Sequence, residues 1–180
     1  MTFRESFIKG VFEITPRIFE DERGMFFEAF QAEVFAAHGI QENFVQDNQS
    51  FSYKGVLRGL HLQKAPYAQA KLVCVMQGSV LDVVVDVRPG SPTFGQYDIF
   101  HLDTHKHNRV FVPAGLAHGF ITLEDAIFTY KCGAYYHKAA ESGILWNDPT
   151  LCIDWGNPQP IVSAKDQLLP TFEQFVKEYV

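Results

Sequence analysis

The stretch Lys71-Leu72-Val73-Cys74-Val75-Met76-Gln77-Gly78-Ser79-Val80-Leu81-Asp82-Val83-Val84-Val85-Asp86-Val87 decides the fold class. Two β-branched runs stand either side of Gln77-Gly78-Ser79, and Arg88-Pro89-Gly90-Ser91-Pro92 closes the second. Such side chains fit a pleated surface, and Gly and Pro punctuate it. Gly78 is assigned to a hairpin turn, because glycine takes a positive φ freely. Asp82 and Asp86, four apart in a strand, point to one face; whether that face is inward or exposed is open, and neither is given a function. Outward from this stretch, further strands are predicted at 95–102, 109–112, 119–123, 126–130 and 144–146. Short strands at regular spacing between Gly/Pro turns make a sandwich or a barrel. Helix is expected in two places. Phe30, Val34 and Phe35 have partly helical spacing within 27–37, and Pro170 suits a first helical turn within 168–180. The reading is a mainly β domain spanning 1–180, with short helices near the termini.

A chain of 180 residues suits one domain, and 47% hydrophobic content can fill a real core. Fifteen basic against twenty-one acidic residues give a net charge of −6, which argues against nonspecific nucleic-acid binding. It leaves room for an anionic small ligand held by a few converging Arg and Lys. Cys74, Cys132 and Cys152 are odd in number, widely spaced and form no CxxC pair. A disulfide framework or cysteine-rich zinc site is not expected, and a reducing compartment fits. Met1-Thr2-Phe3-Arg4-Glu5-Ser6 has no basic region followed by an apolar stretch, and no apolar run approaches the roughly 20 residues of a membrane helix. The expectation is a cytoplasmic protein with no membrane or nucleic-acid partner.

Several segments hold polar residues that a plain barrel does not need. Gln46, Asn48 and Ser50 share one strand face. In Gly55-Val56-Leu57-Arg58-Gly59-Leu60-His61-Leu62-Gln63, Arg58 and His61 point to opposite faces unless a bulge intervenes, and Gly59 can supply one. His118 lies in Gly115-Leu116-Ala117-His118-Gly119, open to close approach by a ligand. Lys71, Tyr130-Lys131, Tyr135-Tyr136 and Ser163-Ala164-Lys165-Asp166 complete the set. Each also has a plain reading: His61 as an ordinary hydrogen-bonded histidine, Tyr130 as a strand aromatic, Lys71 as a solvated strand end, Asp166 as a helix N-cap.

Taken in order, these motifs carry a resemblance. Phe19 through Phe26, Gln46 through Ser50, Gly55 through Gln63, Lys71-Leu72-Val73, Asp82-Val83, Ser91 through Gly95, Pro113 through Phe120, Tyr130-Lys131, Trp146-Asn147-Asp148-Pro149 and Ser163 through Asp166 resemble the dTDP-4-dehydrorhamnose 3,5-epimerase family. The match runs from about residue 5 to 170. The resemblance implies a cupin-type jelly-roll β-barrel, usually a homodimer, that acts on a dTDP-4-keto-6-deoxyhexose without metal or cofactor. It makes His61 the base, Asp166 the group that holds it, Tyr130 the proton donor and Lys71 a further catalytic residue. Arg23, Glu28, Gln46, Asn48, Arg58, His118, Glu141 and Lys165 fall where the family touches nucleotide and sugar, and Tyr136 where a Tyr stacks on thymine.

The chemistry fits these residue types. Hydrogens on C3 and C5 flank a C4 ketone and are acidic. Removing one gives an enolate, and returning the proton to the opposite face inverts the centre, so a base and an acid on opposite faces suffice. Each is worth roughly 10²–10⁴-fold. Histidine's ordinary pKa of about 6.5 suits a base, and a cation such as Lys71 can face the growing negative charge on the C4 oxygen. Three rivals stand beside double epimerisation: inversion at C3 or C5 alone, a metal-dependent cupin enzyme, and a non-catalytic nucleotide-sugar binding barrel. For the second, His101, His105 and His107 form His-x3-His-x-His, but Lys106 within it would oppose a cation; His61 and His118 sharing a metal would put Lys71 beside it.

Overall fold

The computed structural model describes residues 1–179. In chain order its elements are β1 (Thr2–Glu5), β2 (Phe12–Thr15), β3 (Phe19–Asp21), β4 (Gly24–Phe26), α1 (Ala32–Ala37), β5 (Gln46–Ser52), β6 (Val56–Gln63), β7 (Lys71–Gln77), β8 (Ser79–Asp86), β9 (Tyr97–Asp103), β10 (Arg109–Val112), β11 (Leu116–Thr122), β12 (Ala126–Cys132), β13 (Glu141–Gly143), β14 (Ile161–Val162) and α2 (Phe172–Tyr179). One sheet runs β1-β2-β10-β7-β12-β5; the other runs β13-β6-β11-β8-β9, with β14 also on β6. β3 and β4 form a separate hairpin.

Alternation along each strand divides the apolar residues into three clusters. Val73, Val75 and Phe128 of the first sheet meet Val80, Val84, Leu116 and Phe120 of the second between the sheets. The outer face of the second sheet packs Leu57, Leu60, Val83 and Val85 under Trp155, Phe172 and Phe175. The outer face of the first packs Ile14, Leu72 and Phe111 against Phe35 of α1 and Ile40. Each such side chain contributes about 1.5–3 kcal/mol by leaving water. The result is the jelly-roll barrel of cupin type that the motif set implies.

The structure corrects three local expectations. Gly78 has the expected positive φ, +78°, but β7 and β8 do not pair. The turn carries the chain from one sheet to the other. The predicted strand at 144–146 lies three residues early, at β13, because Glu141–Gly143 pairs with Gln63–His61; Ile144 still exchanges both backbone hydrogen bonds with Leu60. The first helix is only Ala32–Ala37: residues before it run along the sheet, where the Ala29 carbonyl accepts from the Arg109 guanidinium. The second helix begins at Phe172, where Thr171 and Gln174 bond each other's backbone N–H as a capping box. Position 180 lies outside the described residues.

Candidate active site

The site begins at a defect in β6. Opposite β11, His61 pairs with His118 and Arg58 with Phe120, so β6 spends one residue more than its partner between these points. This is the bulge expected at Gly59, and it turns Arg58 and His61 to the same side. Glycine is required on both strands. A Cβ on Gly59, whose φ is +138°, would lie 2.5 Å from the Gly119 Cα, and one on Gly119 would lie 2.8 Å from the Arg58 carbonyl oxygen.

The bulge also leaves a gap along the edge of β6. β14 pairs with Val56 and Leu57, and β13 with His61 to Gln63. Asp166 fills the space between: one carboxylate oxygen lies 2.8 Å from His61 Nε2, and the other accepts the Gly59 N–H at 3.3 Å. Asp166 is buried and opens a 3₁₀ turn whose N–H bonds Ser163 Oγ. Burial alone would raise its pKa, but the hydrogen bond and charge of His61 and the Gly59 and Ser163 hydrogen bonds together hold it below the ordinary value. A neutral His61 that gives its Nε2 proton to Asp166 keeps a lone pair on Nδ1. The ring is about one-third exposed, at 33%.

Side chains from both sheets line the interior. His118 Nε2 lies 2.7 Å from Asp82 Oδ1, both buried, and Asp82 Oδ2 has no hydrogen-bond partner. From the other sheet, Lys71 Nζ stands 5.9 Å from the centre of the Tyr130 ring, and Cys132 pairs across from Lys71. Burial pulls the Lys71 ammonium below the usual lysine value, opposed by the charges of Cys132, Asp82 and Glu141. Burial raises the Tyr130 phenol, and Cys132 adds to this, while Asn48 and Arg58 work against it. The interior thus presents an amine and a phenol from one sheet, and a carboxylate-held imidazole from the other.

The rim is polar. Asn48 lies opposite Tyr130 in the β5–β12 ladder, accepts from Gln46 and donates to Cys132 Sγ. Arg58 donates to Ser52 Oγ and to the Phe51 carbonyl. Glu141 accepts from Lys165 at 2.6 Å and from the Tyr136 hydroxyl at 3.0 Å.

With this geometry in view, comparison with known proteins is direct. The model of the family described as dTDP-4-dehydrorhamnose 3,5-epimerase matches residues 5–174. The chain belongs to this family. It is 48% identical over 161 residues to the dTDP-4-dehydrorhamnose 3,5-epimerase of Shigella flexneri, covering 88% of this chain and 89% of that one. It superimposes with a TM-score of 0.94 on RmlC from Legionella pneumophila in complex with dTDP-4-keto-L-rhamnose, at 43% identity over 99% of this chain and 96% of that one. It also resembles ChmJ, a 3′-monoepimerase from Streptomyces bikiniensis in complex with dTDP-quinovose, with a TM-score of 0.90 and 36% identity over 96% and 89% of the two chains.

Most of the residues that the epimerase resemblance singled out converge here: His61, Asp166, Lys71, Tyr130, His118, Gln46, Asn48, Arg58, Tyr136, Glu141 and Lys165. Arg23 and Glu28 do not. Arg23 sits on the exposed β3–β4 hairpin, paired with Asp21, and Glu28 is exposed beyond it. Neither bonds an interior side chain among the described residues. Among those residues, no three His, Cys, Asp or Glu side chains are grouped to hold a metal; His101 is instead 3.2 Å from Asp103. No helix among them is long and apolar enough to cross a membrane. Sequence reasoning missed Asp82 as the partner of His118. The signal was present: Asp82 shares its strand face with Val80 and Val84, which are inward.

Proposed function

We propose that the chain epimerises dTDP-4-dehydro-6-deoxy-D-glucose at C3 and C5 to dTDP-4-dehydro-L-rhamnose. The observation that carries this reading is His61 on one sheet, held by Asp166 at its edge, with Tyr130 and Lys71 on the other. His61 takes a proton from C3 or C5, and Asp166 stabilises the imidazolium that forms, as the carboxylate does in a hydrolase triad. The Lys71 ammonium balances the charge that grows on the C4 oxygen. Tyr130 returns a proton to the opposite face, and the centre inverts. The C4 ketone already acidifies both positions, so no electrons need leave or enter the sugar and no redox cofactor is needed.

Arg58 and Lys165 meet the diphosphate, Arg with its forked donors. Gln46, Asn48, His118 and Glu141 line the sugar and nucleotide, and Tyr136 offers its ring to the thymine. Arg23 and Glu28, which the resemblance also places at nucleotide and sugar, lie on and beside the exposed β3–β4 hairpin. The hairpin that carries Arg23 exposes Phe19, Met25 and Phe26, an apolar surface suited to a homodimer. Sedimentation showing a monomer at micromolar concentration would remove that claim. The free thiols fit a reducing, cytoplasmic location.

The test is proton NMR of the substrate with the protein in D₂O. Enzyme-dependent deuterium at C3 and C5, with inversion at both, is expected. Exchange at one carbon alone would make it a single-centre epimerase. His61→Ala and Tyr130→Phe should fold and lose turnover; full activity in both would refute the mechanism.

A further inference from the structure

Gln63 closes the motif that contains His61, and both ends of its side-chain amide are bonded. Its Nε2 donates to the Tyr67 carbonyl at 2.7 Å and the Tyr135 carbonyl at 3.2 Å, and its Oε1 accepts the His137 N–H at 2.6 Å. Gln63 as a whole is buried, with 6% exposure. Between Tyr135 and His137, the Tyr136 N–H donates to Gln46 Oε1 at 3.0 Å. Two glutamines from opposite sheets therefore fix consecutive polar groups of one loop, 135–137, which crosses from β12 to β13. The His137 ring lies flat on Tyr67, 3.7 Å between centroids, and Tyr67 is itself held by Gln63. Yet Tyr135 and Tyr136 are 70% and 54% exposed. The backbone of an exposed loop is anchored from below while the Tyr136 ring stays exposed, its hydroxyl bonded to Glu141.

We propose that Gln63 is a positioning residue for nucleotide recognition: it holds the 135–137 backbone so that the Tyr136 ring is presented, already ordered, to the base. The inference rests on the reading that Tyr136 stacks on the thymine. An ordered ring loses little freedom when a planar base settles on it, so the clamp acts on binding rather than on proton transfer. It also places the base His61 and the loop anchor on one strand, two residues apart.

The test uses Gln63→Met, which keeps an unbranched chain and removes all three hydrogen bonds, alongside Tyr136→Ala and the double variant. Binding of dTDP is measured by calorimetry, and KM and kcat with the epimerase substrate. Dissociation constant and KM should both rise about tenfold for Gln63→Met, with kcat within about twofold of the parent. The double variant should bind no more weakly than the weaker single one, because both act through one ring. A fall in kcat with dTDP affinity unchanged would overturn the proposal, since it would mean Gln63 acts on His61. Unchanged dTDP binding by Tyr136→Ala would instead refute the stacking reading, and the proposal with it. If Gln63→Met does not fold, amide hydrogen exchange of the parent protein decides: slow exchange at His137, whose N–H Gln63 accepts, supports the clamp, and free exchange there overturns it.

Discussion

Asp166 holds His61 Nε2 on one carboxylate oxygen and the Gly59 amide on the other, at 2.8 and 3.3 Å. One buried carboxylate thus orients the imidazole and satisfies the backbone group that the bulge leaves without a ladder partner. Asp166→Asn keeps the shape but replaces an acceptor with an amide that can turn its donor to the ring, favouring the wrong tautomer. The expected result is a fall in kcat of about 10²–10⁴-fold with KM little changed. Single-turnover kinetics and deuterium exchange into substrate read it directly.

The alkaline side of the pH profile follows from Lys71. Burial moves its pKa down, against the pull of Cys132, Asp82 and Glu141. The ammonium is present below that folded value and lost as pH rises through it. Activity should therefore decline at a pH below the ordinary lysine value of about 10.4. Tyr130 moves the other way, because burial helps it keep its proton. The alkaline limb should persist in residual Tyr130→Phe activity and vanish in Lys71→Gln, whose kcat should fall about 10²–10³-fold.

Asp86 carries stability rather than chemistry. Wholly buried, it accepts a two-pronged ion pair from Arg88 and hydrogen bonds from Ser91 and Thr93, each at 2.6 Å. Burial alone would raise its pKa, but these partners hold it far below the usual aspartate range. A depressed carboxylate stabilises the fold above its unfolded pKa, about 3.9, and loses that contribution as pH falls through the folded value. Asp86→Asn should cost on the order of 3 kcal/mol at pH 7. Thermal melts of parent and variant should draw together below about pH 4.

The glycine crossing of β6 and β11 predicts a third kind of loss. Gly59→Ala must place a Cβ at 2.5 Å from the Gly119 backbone while holding a φ of +138°. The two strands must part or the bulge must shift, at a cost on the order of 3 kcal/mol. Calorimetry should show the lower melting temperature. Residual activity per folded molecule should fall as well, since the bulge sets the direction of both Arg58 and His61.

Local chemistry was legible in the sequence where it is set by neighbours along the chain. Strand periodicity marks β7 and β8, and glycine at 59 marks the bulge that reconciles Arg58 with His61. Pairing between distant strands was less legible. Gly78 has the right conformation for a hairpin, but turn chemistry does not reveal which strands pair, and β8 joins β11 and β9 instead. Asp82 reads as inward only once Val80 and Val84 are known to face the other sheet. Its bond to His118 joins positions 36 residues apart. Asp148 is a similar case: its carboxylate accepts the N–H groups of Thr150, Leu151 and Phe172, tying the Trp146–Pro149 motif to the start of α2. Nothing in local spacing announces that partner.

The separation of 105 positions between His61 and Asp166 bears on synthesis. As the ribosome releases the chain, every inward-facing strand residue emerges before the carboxylate that orients the imidazole. A polypeptide stalled ahead of Ser163 would carry the phenol, the ammonium and the imidazole and still lack the means to work them together. The contact that orients the His61 ring is thereby completed only after the strands of both sheets have been made.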